Sequence, residues 1–328
     1  MKKASMLDVA KEAQVSVATV SHVINNDKAV SAKTREIVNN AIEKLNYSPN
    51  LVARGFKTGK RGIIGFIVPD IANPFFATLI EEVESIICKE GYQLIIVNTK
   101  ETKESECKNI KILSSSFVDG FIIASTLEDF KELQGALPEG FPAIYIDRKI
   151  LNCPYETICI NSYNATKEGV KYLINRGHKK IGYITGLLRI STSRERLQAY
   201  KDAMDEAGLD SSKYVRIGNS MSHCVEEHLS SLLNDGCTAL VIANNLMATE
   251  ALIQLIESGV YSAKKLDIVG FKDSDQAQYG LQHMSLIVQP TSQLGWLAGM
   301  QILDTLKNDE KKQKTNSVIL QSTFVPKK

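Results

Sequence analysis

The sequence predicts an α/β protein with a small all-helical unit at its N-terminus, and three observations carry that reading. Residues 1–47 contain no glycine and repeat their apolar side chains at helical spacing. From Gly62 onward, Val- and Ile-rich runs of strand length alternate with amphipathic stretches, the pattern of parallel sheets covered on both faces by helices. This second part, about 265 residues long, exceeds one comfortable core, so two lobes are expected, with ligand chemistry at the strand C-terminal ends between them.

In the first part, Met6 to Ala13 forms one helix with apolar Leu7, Val9, Ala10 and Ala13. Ser16 caps a second, and Ser31 or Thr34 starts a third through Ile37, Ala41, Ile42 and Leu45. The segment "YSPNLVARGFKTGKR", Tyr47 to Arg61, brings a proline, two glycines and little periodicity, and is expected to be a conditionally helical linker. Beyond it, strands are predicted at Ile63–Val68, Gln93–Asn98, Gly120–Ser125, Ala143–Ile146, Lys180–Thr185, Ala239–Ala243 and Asp267–Phe271. Helices lie between, for example Phe75–Lys89 and Arg194–Ala207.

Composition excludes several classes. The longest apolar runs, such as "GIIGFIV" from Gly62 to Val68, fall far short of the roughly 20 residues that span a bilayer, so no membrane partner is expected. The N-terminus begins basic, but Asp8, Lys11 and Glu12 interrupt any apolar segment, which argues against a secretory signal and for the cytoplasm. Six cysteines show no Cys-x-x-Cys spacing, which fits free thiols in a reducing compartment. Residues 1–60 hold ten Lys/Arg against five Asp/Glu, a charge of +5, which leaves −3 for the remainder of a chain whose total is +2. A basic module on a mildly acidic body suggests a head that binds a polyanion.

No metal, cofactor or catalytic constellation is expected. "GFKTGKR" has three residues between its glycines, no Ser/Thr after the lysine and a strand behind it, so it is no phosphate loop. His223 and His228 are five apart, off a shared helical face, without a carboxylate-rich set beside them. Cys107, Cys153 and Cys159 have no His or Arg near them in sequence and are expected to be inert.

The stretch "VSVATVSHVIN", Val15 to Asn25, spends a helix face on Ser16, Thr19, Ser21, His22 and Asn25. Short hydroxyls and amides compete with a helix's own backbone bonds, so this face is ill suited to a solvated helix. It suits phosphates and base edges, with His22 offering a ring nitrogen to a purine acceptor in the major groove. The opposite stripe, Val20, Val23 and Ile24, is expected to pack on Val9, Ala10 and Ala13, making a helix-turn-helix. On this spacing alone a plain three-helix surface bundle remains open.

The segment "SPNLVARGFKTG" that follows resembles the lactose-repressor (LacI) family of bacterial transcription regulators, and the resemblance covers essentially all 328 residues. "LDVAKEAQVSVATVSHVINN" is similar to the family's helix-turn-helix, "YSPNLVARGFKTG" to its hinge helix, and "IGFIVPDIANPFFATLIEEVE" to the start of its effector domain. "GHKKIGYITG", "RERLQAY", "ANNLMATEAL", "DIVGFKDSD" and "VQPTSQLG" follow in order. The resemblance implies a lambda-repressor-like helix-turn-helix headpiece over residues 1–60, with a hinge helix at about 48–57, and a periplasmic-binding-protein-like effector and dimerisation domain over 61–328. That domain's two parallel-sheet lobes would be lobe 1, about 61–161 plus 291–320, and lobe 2, about 162–290 plus 321–328.

Carried over by position, Val17 and Ala18 open the recognition helix and, with His22, face base edges. Ser16, Thr19, Ser21, Asn25, Ser31 and Thr34 become phosphate or backbone contacts. Asn50, Ala53, Phe56 and Lys57 belong to the hinge, where Phe56 stands in place of the family's usual leucine wedge in the minor groove; folding of Phe56 onto the effector domain stays open. Relatives often carry Arg where His22 stands, so the operator sequence does not transfer.

The resemblance further implies a dimer on a pseudo-palindromic double-stranded operator and a small-molecule effector: a sugar, sugar acid or phosphosugar. Matching positions nominate Asn73, Phe75, Phe76, Arg148, Arg194, Asn245 and Lys272, with one of the two phenylalanines expected to be mere core. Lys272 replaces the family's usual Asp; together with Arg148 and Arg194 it suggests an anionic effector, unless Lys272 turns to solvent or pairs with Asp273 or Asp275. The expected function is a repressor of carbohydrate-metabolism genes, without enzymatic activity. A solute-binding protein would need an export signal and no basic head, and a nucleotide-using α/β enzyme would need a phosphate loop or an acid/base set.

Overall fold

Small polar residues begin each helix of the N-terminal unit. The structure, a computed structural model, describes residues 4–25, 30–47, 60–133, 135–218, 224–260, 266–273, 284–307 and 317–327. The chain divides into two units, Met1–Arg61 and Gly62–Lys328. In the first, α1 (Met6–Glu12) starts with a capping box in which Ser5 and Asp8 satisfy each other's backbone amides. Ser16 Oγ accepts from Thr19 N at 3.0 Å to open α2 (Val17–Asn25), and Ser31 Oγ accepts from Thr34 N at 3.1 Å to open α3 (Ala32–Lys44). Of the two candidate starts for the third helix, Ser31 is therefore the cap. Between α1 and α2 the chain reverses through Gln14 at φ 51°, and Val15 N–H returns to Ala10 O at 3.0 Å. Val9, Ala10, Ala13, Val20, Val23, Val38 and Ala41 bury together, flanked by Ile24 and Ile42.

The second unit alternates as its sequence does. Its first stretch runs β1 (Ile63–Val68), α4 (Pro74–Ile87), β2 (Gln93–Asn98), α5 (Lys103–Ser114), β3 (Gly120–Ile123), β4 (Ala143–Asp147) and β5 (Thr157–Asn161). Then come α6 (Tyr163–Asn175), β6 (Ile181–Thr185), α7 (Ser191–Glu206), β7 (Val215–Ile217), α8 (Val225–Asn234), β8 (Ala239–Ile242), α9 (Asn245–Glu257) and β9 (Asp267–Asp273). The last described elements are β10 (Ser285–Gln289), α10 (Thr291–Lys307), β11 (Val318–Gln321) and β12 (Thr323–Val325).

Among the described residues these strands make two six-stranded sheets, ordered β11-β5-β4-β3-β1-β2 and β12-β10-β9-β8-β6-β7. All pairings described are parallel except β10 with β12, where Ile287 lies opposite Phe324. The chain passes between the sheets at Ser162, Pro290 and Ser322, so each lobe is built from separate segments. β7, β11 and β12, which the sequence analysis does not predict, are three or four residues long and lie at sheet edges, where half-exposed positions blur the apolar run. β5 and β10 are interior strands that it also misses; threonine, serine and polar end residues dilute their runs.

The first lobe's core packs α4 and α10 on one face of the sheet, with Leu79, Val83, Ile87, Leu294 and Ile302 buried among β1, β3, β4 and β5. The two helices touch closely because α10 presents Gly295 and Gly299: a Cβ there would stand 2.7 Å from Glu82 Cβ and 2.9 Å from Ile86 Cβ. No helix among the described residues is long and apolar enough to cross a membrane. Gly295→Ala is expected to push α4 and α10 apart and to lower the unit's stability by about 1–3 kcal/mol, the usual cost of overpacking; urea denaturation of the two proteins checks it.

Candidate functional site

Two places bring predicted site residues together. In the first unit, Ser16, Val17 and Ala18 are exposed at the start of α2, and Val17 shows 40% of its surface. Thr19, Ser21 and His22 follow, half-buried, on the next turn. Ser16 and Thr19 share a hydroxyl–hydroxyl bond of 2.8 Å, and Ser31 and Thr34 repeat it at 2.8 Å, so the same Ser-x-x-Thr cap opens both helices. Two helix starts with exposed polar caps offer backbone N–H groups and positive dipole ends, a surface suited to anions. Asn25 ends α2, while Asn50, Ala53, Phe56 and Lys57 lie outside the described residues.

The second place is a cleft between the lobes of the larger unit, with a volume of about 70 Å³, lined by Asn73, Phe75, Phe76, Arg148, Arg196 and Asn245 among others. That space is enough for several waters or a small polar ligand. Asn73 is placed by capping α4: its Oδ1 accepts from Phe75 N at 3.0 Å, and Pro74 fixes the first turn. Asn73 Oδ1 also accepts from Asn245 Nδ2 at 3.0 Å, a bond that crosses from one lobe to the other. Phe75 and Phe76 meet edge to face with ring centroids 5.1 Å apart. Both line the cleft and both are in the first lobe's core, so neither is mere core.

Asp273, with no exposed surface, organises the other wall. It accepts from Asn245 Nδ2 at 2.8 Å, Gln289 Nε2 at 3.2 Å and Thr291 Oγ1 at 3.2 Å. Gln289 Oε1 in turn accepts from Arg196 Nη2 at 2.6 Å, Arg196 Nη1 donates to Ala243 O at 2.7 Å, and the guanidinium lies 3.9 Å over the Phe271 ring. Opposite, Arg148 forks onto Glu101 through Nη2–Oε1 at 2.5 Å and Nη1–Oε2 at 3.0 Å, and its Nε is 3.6 Å from Asp147 Oδ2. Lys100, Glu101 and Asp147 hold left-handed backbone at φ 52°, 55° and 66°, a strain on the order of 1–3 kcal/mol each that tends to gather at functional sites.

Comparison with known proteins assigns both units. Residues 5–50 match the family described as "Bacterial regulatory proteins, lacI family", and residues 61–328 match "Periplasmic binding proteins and sugar binding domain of LacI family". The chain belongs to the LacI family. It is 33% identical to the ribose operon repressor of Haemophilus influenzae, over 98% of this chain and 97% of that one. It is 32% identical to the HTH-type transcriptional repressor PurR of Aliivibrio salmonicida, over 93% of each chain. The lac repressor dimer bound to operator and the anti-inducer ONPF superposes with a TM-score of 0.83 at 25% identity, covering 99% of both chains. This LacI-family chain is a DNA-binding transcriptional repressor.

Two nominated effector residues of this repressor do not reach the cleft. Arg194 is half-exposed and spends its Nη1 on Leu188 O and Arg189 O, both at 2.7 Å, which ties down the loop before α7. The buried stripe of α7 runs through Ser193, Arg196, Leu197, Tyr200 and Met204, and Arg194 stands about 200° round the axis from Arg196. Lys272 shares the face of β9 that carries Ile268 and Gly270, packed toward α9, whereas Phe271 and Asp273 share the other. The cluster of three cations is therefore not assembled. In its place stand Arg148 and Arg196 against Asp70, Glu101 and Asp147.

Glu101, Glu106, Asp147, Arg189, Arg196, Asp273 and Gln289 escape the sequence analysis. Glu106 carried a signal: it sits four residues before Ile110 on the buried face of α5, where a hydrophobe is expected. Its carboxylate accepts from Ser125 Oγ, and from Thr126 N and Oγ1 at 2.6 Å each, fixing the strand end whose Ser125 O receives Arg148 Nη1 at 3.2 Å.

Burial raises the carboxyls of Asp273, Glu106 and Asp147 above their ordinary range, against their hydrogen bonds and neighbouring guanidiniums. Burial likewise lowers Arg196. For Arg148 burial works the same way, but the hydrogen bonds and charge of Glu101 outweigh it and leave the group above its ordinary value. A carboxyl raised on folding favours the folded state below its unfolded pKa, and that contribution is lost as pH rises through the folded value. Wild type is therefore expected to lose stability relative to Asp273→Asn as pH climbs from 3.8. Urea midpoints of both proteins against pH check it; parallel curves overturn it.

Proposed function

We propose that this chain acts in the cytoplasm as a homodimeric repressor on a pseudo-palindromic operator, and that a neutral sugar bound in the lobe cleft changes its operator affinity. The observation that carries the effector half is that the cleft's guanidiniums are already engaged: Arg148 holds the Glu101 carboxylate and Arg196 the Gln289 amide oxygen. A carboxylate or phosphate ligand finds both guanidinium groups already engaged, and Arg189 is likewise held at Glu101, whereas hydroxyls find donors and acceptors of both kinds. The Nε–H groups of Arg148 and Arg196 are buried and have no hydrogen-bond acceptor among the described residues. The paired rings of Phe75 and Phe76 supply an apolar plate for a sugar face. The name of the Haemophilus influenzae relative, a ribose operon repressor, supports a sugar and genes of carbohydrate metabolism.

On the DNA, Val17, Ala18 and His22 read base edges, while Ser16, Thr19, Ser21, Asn25, Ser31 and Thr34 hold the backbone. The effector works by population shift: it moves operator affinity only by as much as it binds one lobe arrangement better than the other. Gel shifts on DNA upstream of the gene, with thermal-shift screening of neutral pentoses and hexoses against sugar acids and phosphates, test both halves. Stabilisation by anionic sugars alone would return the effector to the anionic class.

His22→Ala is expected to cost about 1–3 kcal/mol on operator and little on random duplex, and to leave the salt dependence of nonspecific binding intact. Fluorescence anisotropy on both DNAs over a salt series reads the difference; equal loss on every sequence would remove His22 from base reading.

A further inference from the structure

Glu101 lines the cleft with its side chain only 11% exposed, and it faces two guanidiniums from opposite lobes. Arg148, at the end of β4, fills both carboxylate oxygens in a bidentate fork. Arg189, from the loop after β6, stands 3.5 Å from Oε2, donates Nη2 to Glu101 O at 3.0 Å and donates Nη1 to Thr126 O at 3.1 Å. The backbone is bent to reach this position: Lys100 and Glu101 are consecutive left-handed residues with side chains, a conformation rarely adopted by L residues.

A planar guanidinium in a cleft wall is the usual receptor for a ligand carboxylate or phosphate, because its fork matches their oxygens two at a time. Here the chain's own carboxylate occupies that fork, and Asp147 adds a second negative charge 3.6 Å from the Arg148 Nε. With the cleft read as the effector site, we infer that Glu101 is a specificity-determining residue: it fills Arg148's anion-binding fork and so restricts the cleft to neutral effectors. An acid or phosphate ester must displace Glu101 from Arg148 and leave its carboxylate facing the incoming charge. A hydroxyl needs neither step.

The test uses the full-length protein, Glu101→Gln and Glu101→Asp, with inorganic phosphate, neutral pentoses and pentose 5-phosphates as probes, read by thermal shift and calorimetry. Glu101→Gln removes the charge and is expected to gain about tenfold or more in affinity for inorganic phosphate and for the pentose phosphates over wild type. Glu101→Asp, which keeps the charge, is expected to retain the exclusion; it also separates charge from shape should the Gln variant prove too unstable to titrate. Wild type that binds phosphate as tightly as Glu101→Gln, or an Asp variant that gains as much as Gln, overturns the inference. The phosphate arm decides the role of Glu101 even if no neutral sugar binds wild type, an outcome that would instead remove the proposed effector class.

Discussion

Asp273 ends β9 inside the protein, and side chains from three separate segments take their orientation from it: Asn245 at the start of α9, Gln289 at the end of β10 and Thr291 at the start of α10. A carboxylate can only accept, so each of these groups must turn a donor toward it, and that fixes the amide of Gln289 with its oxygen toward Arg196. Asn245, held the same way, sends its other amide hydrogen to Asn73 in the opposite lobe. One buried charge thus sets the donor and acceptor pattern of a whole wall and reaches the helix cap on the other. Such an arrangement is costly to leave half-made, since each buried donor without an acceptor loses about 1–3 kcal/mol. Segments brought from distant parts of the chain are thereby held to one geometry.

The same logic explains why the cations that the resemblance nominates do not meet at the cleft. Arg148, Arg194 and Lys272 are three cations that matching positions in the family place in one pocket. Folding separates them by two periodicities. In α7 a two-residue offset turns Arg194 away from the stripe that carries Arg196, and in β9 a one-residue offset sends Lys272 to the opposite face from Asp273. What the cleft receives instead is Arg196, buried and braced by Phe271, and Arg148, already matched by Glu101.

The fold is largely legible because it rests on patterns that sequence displays: the 3.6-residue stripe of α1 to α3, the Ser-x-x-Thr caps, and the apolar runs of β1, β2, β4, β6, β8 and β9. The short edge strands β7, β11 and β12 are not, since three or four residues with exposed positions carry too little pattern. Asn73, Phe75, Phe76, Arg148 and Asn245 are legible through the family resemblance and do line the cleft. Glu101 is not, because nothing in "NTKETKE" marks which of its two glutamates turns inward. The answer depends on a left-handed backbone at residues 100 and 101 that only the packed lobe imposes.

Both halves of the molecule meet negative charge in opposite ways. The N-terminal unit leaves helix starts with exposed hydroxyl caps and a net positive sequence, so a phosphate backbone is met by fixed dipoles and cations at little reorganisation. The cleft closes Arg148 with the Glu101 carboxylate and Arg196 with the Gln289 amide and the Ala243 carbonyl, so a ligand there exchanges one set of hydrogen bonds for another. On the proposed reading, that separation serves a repressor surrounded by phosphates and carboxylates: the surface suited to anions is the one proposed for the operator, and the cleft proposed for the effector is already supplied with its own.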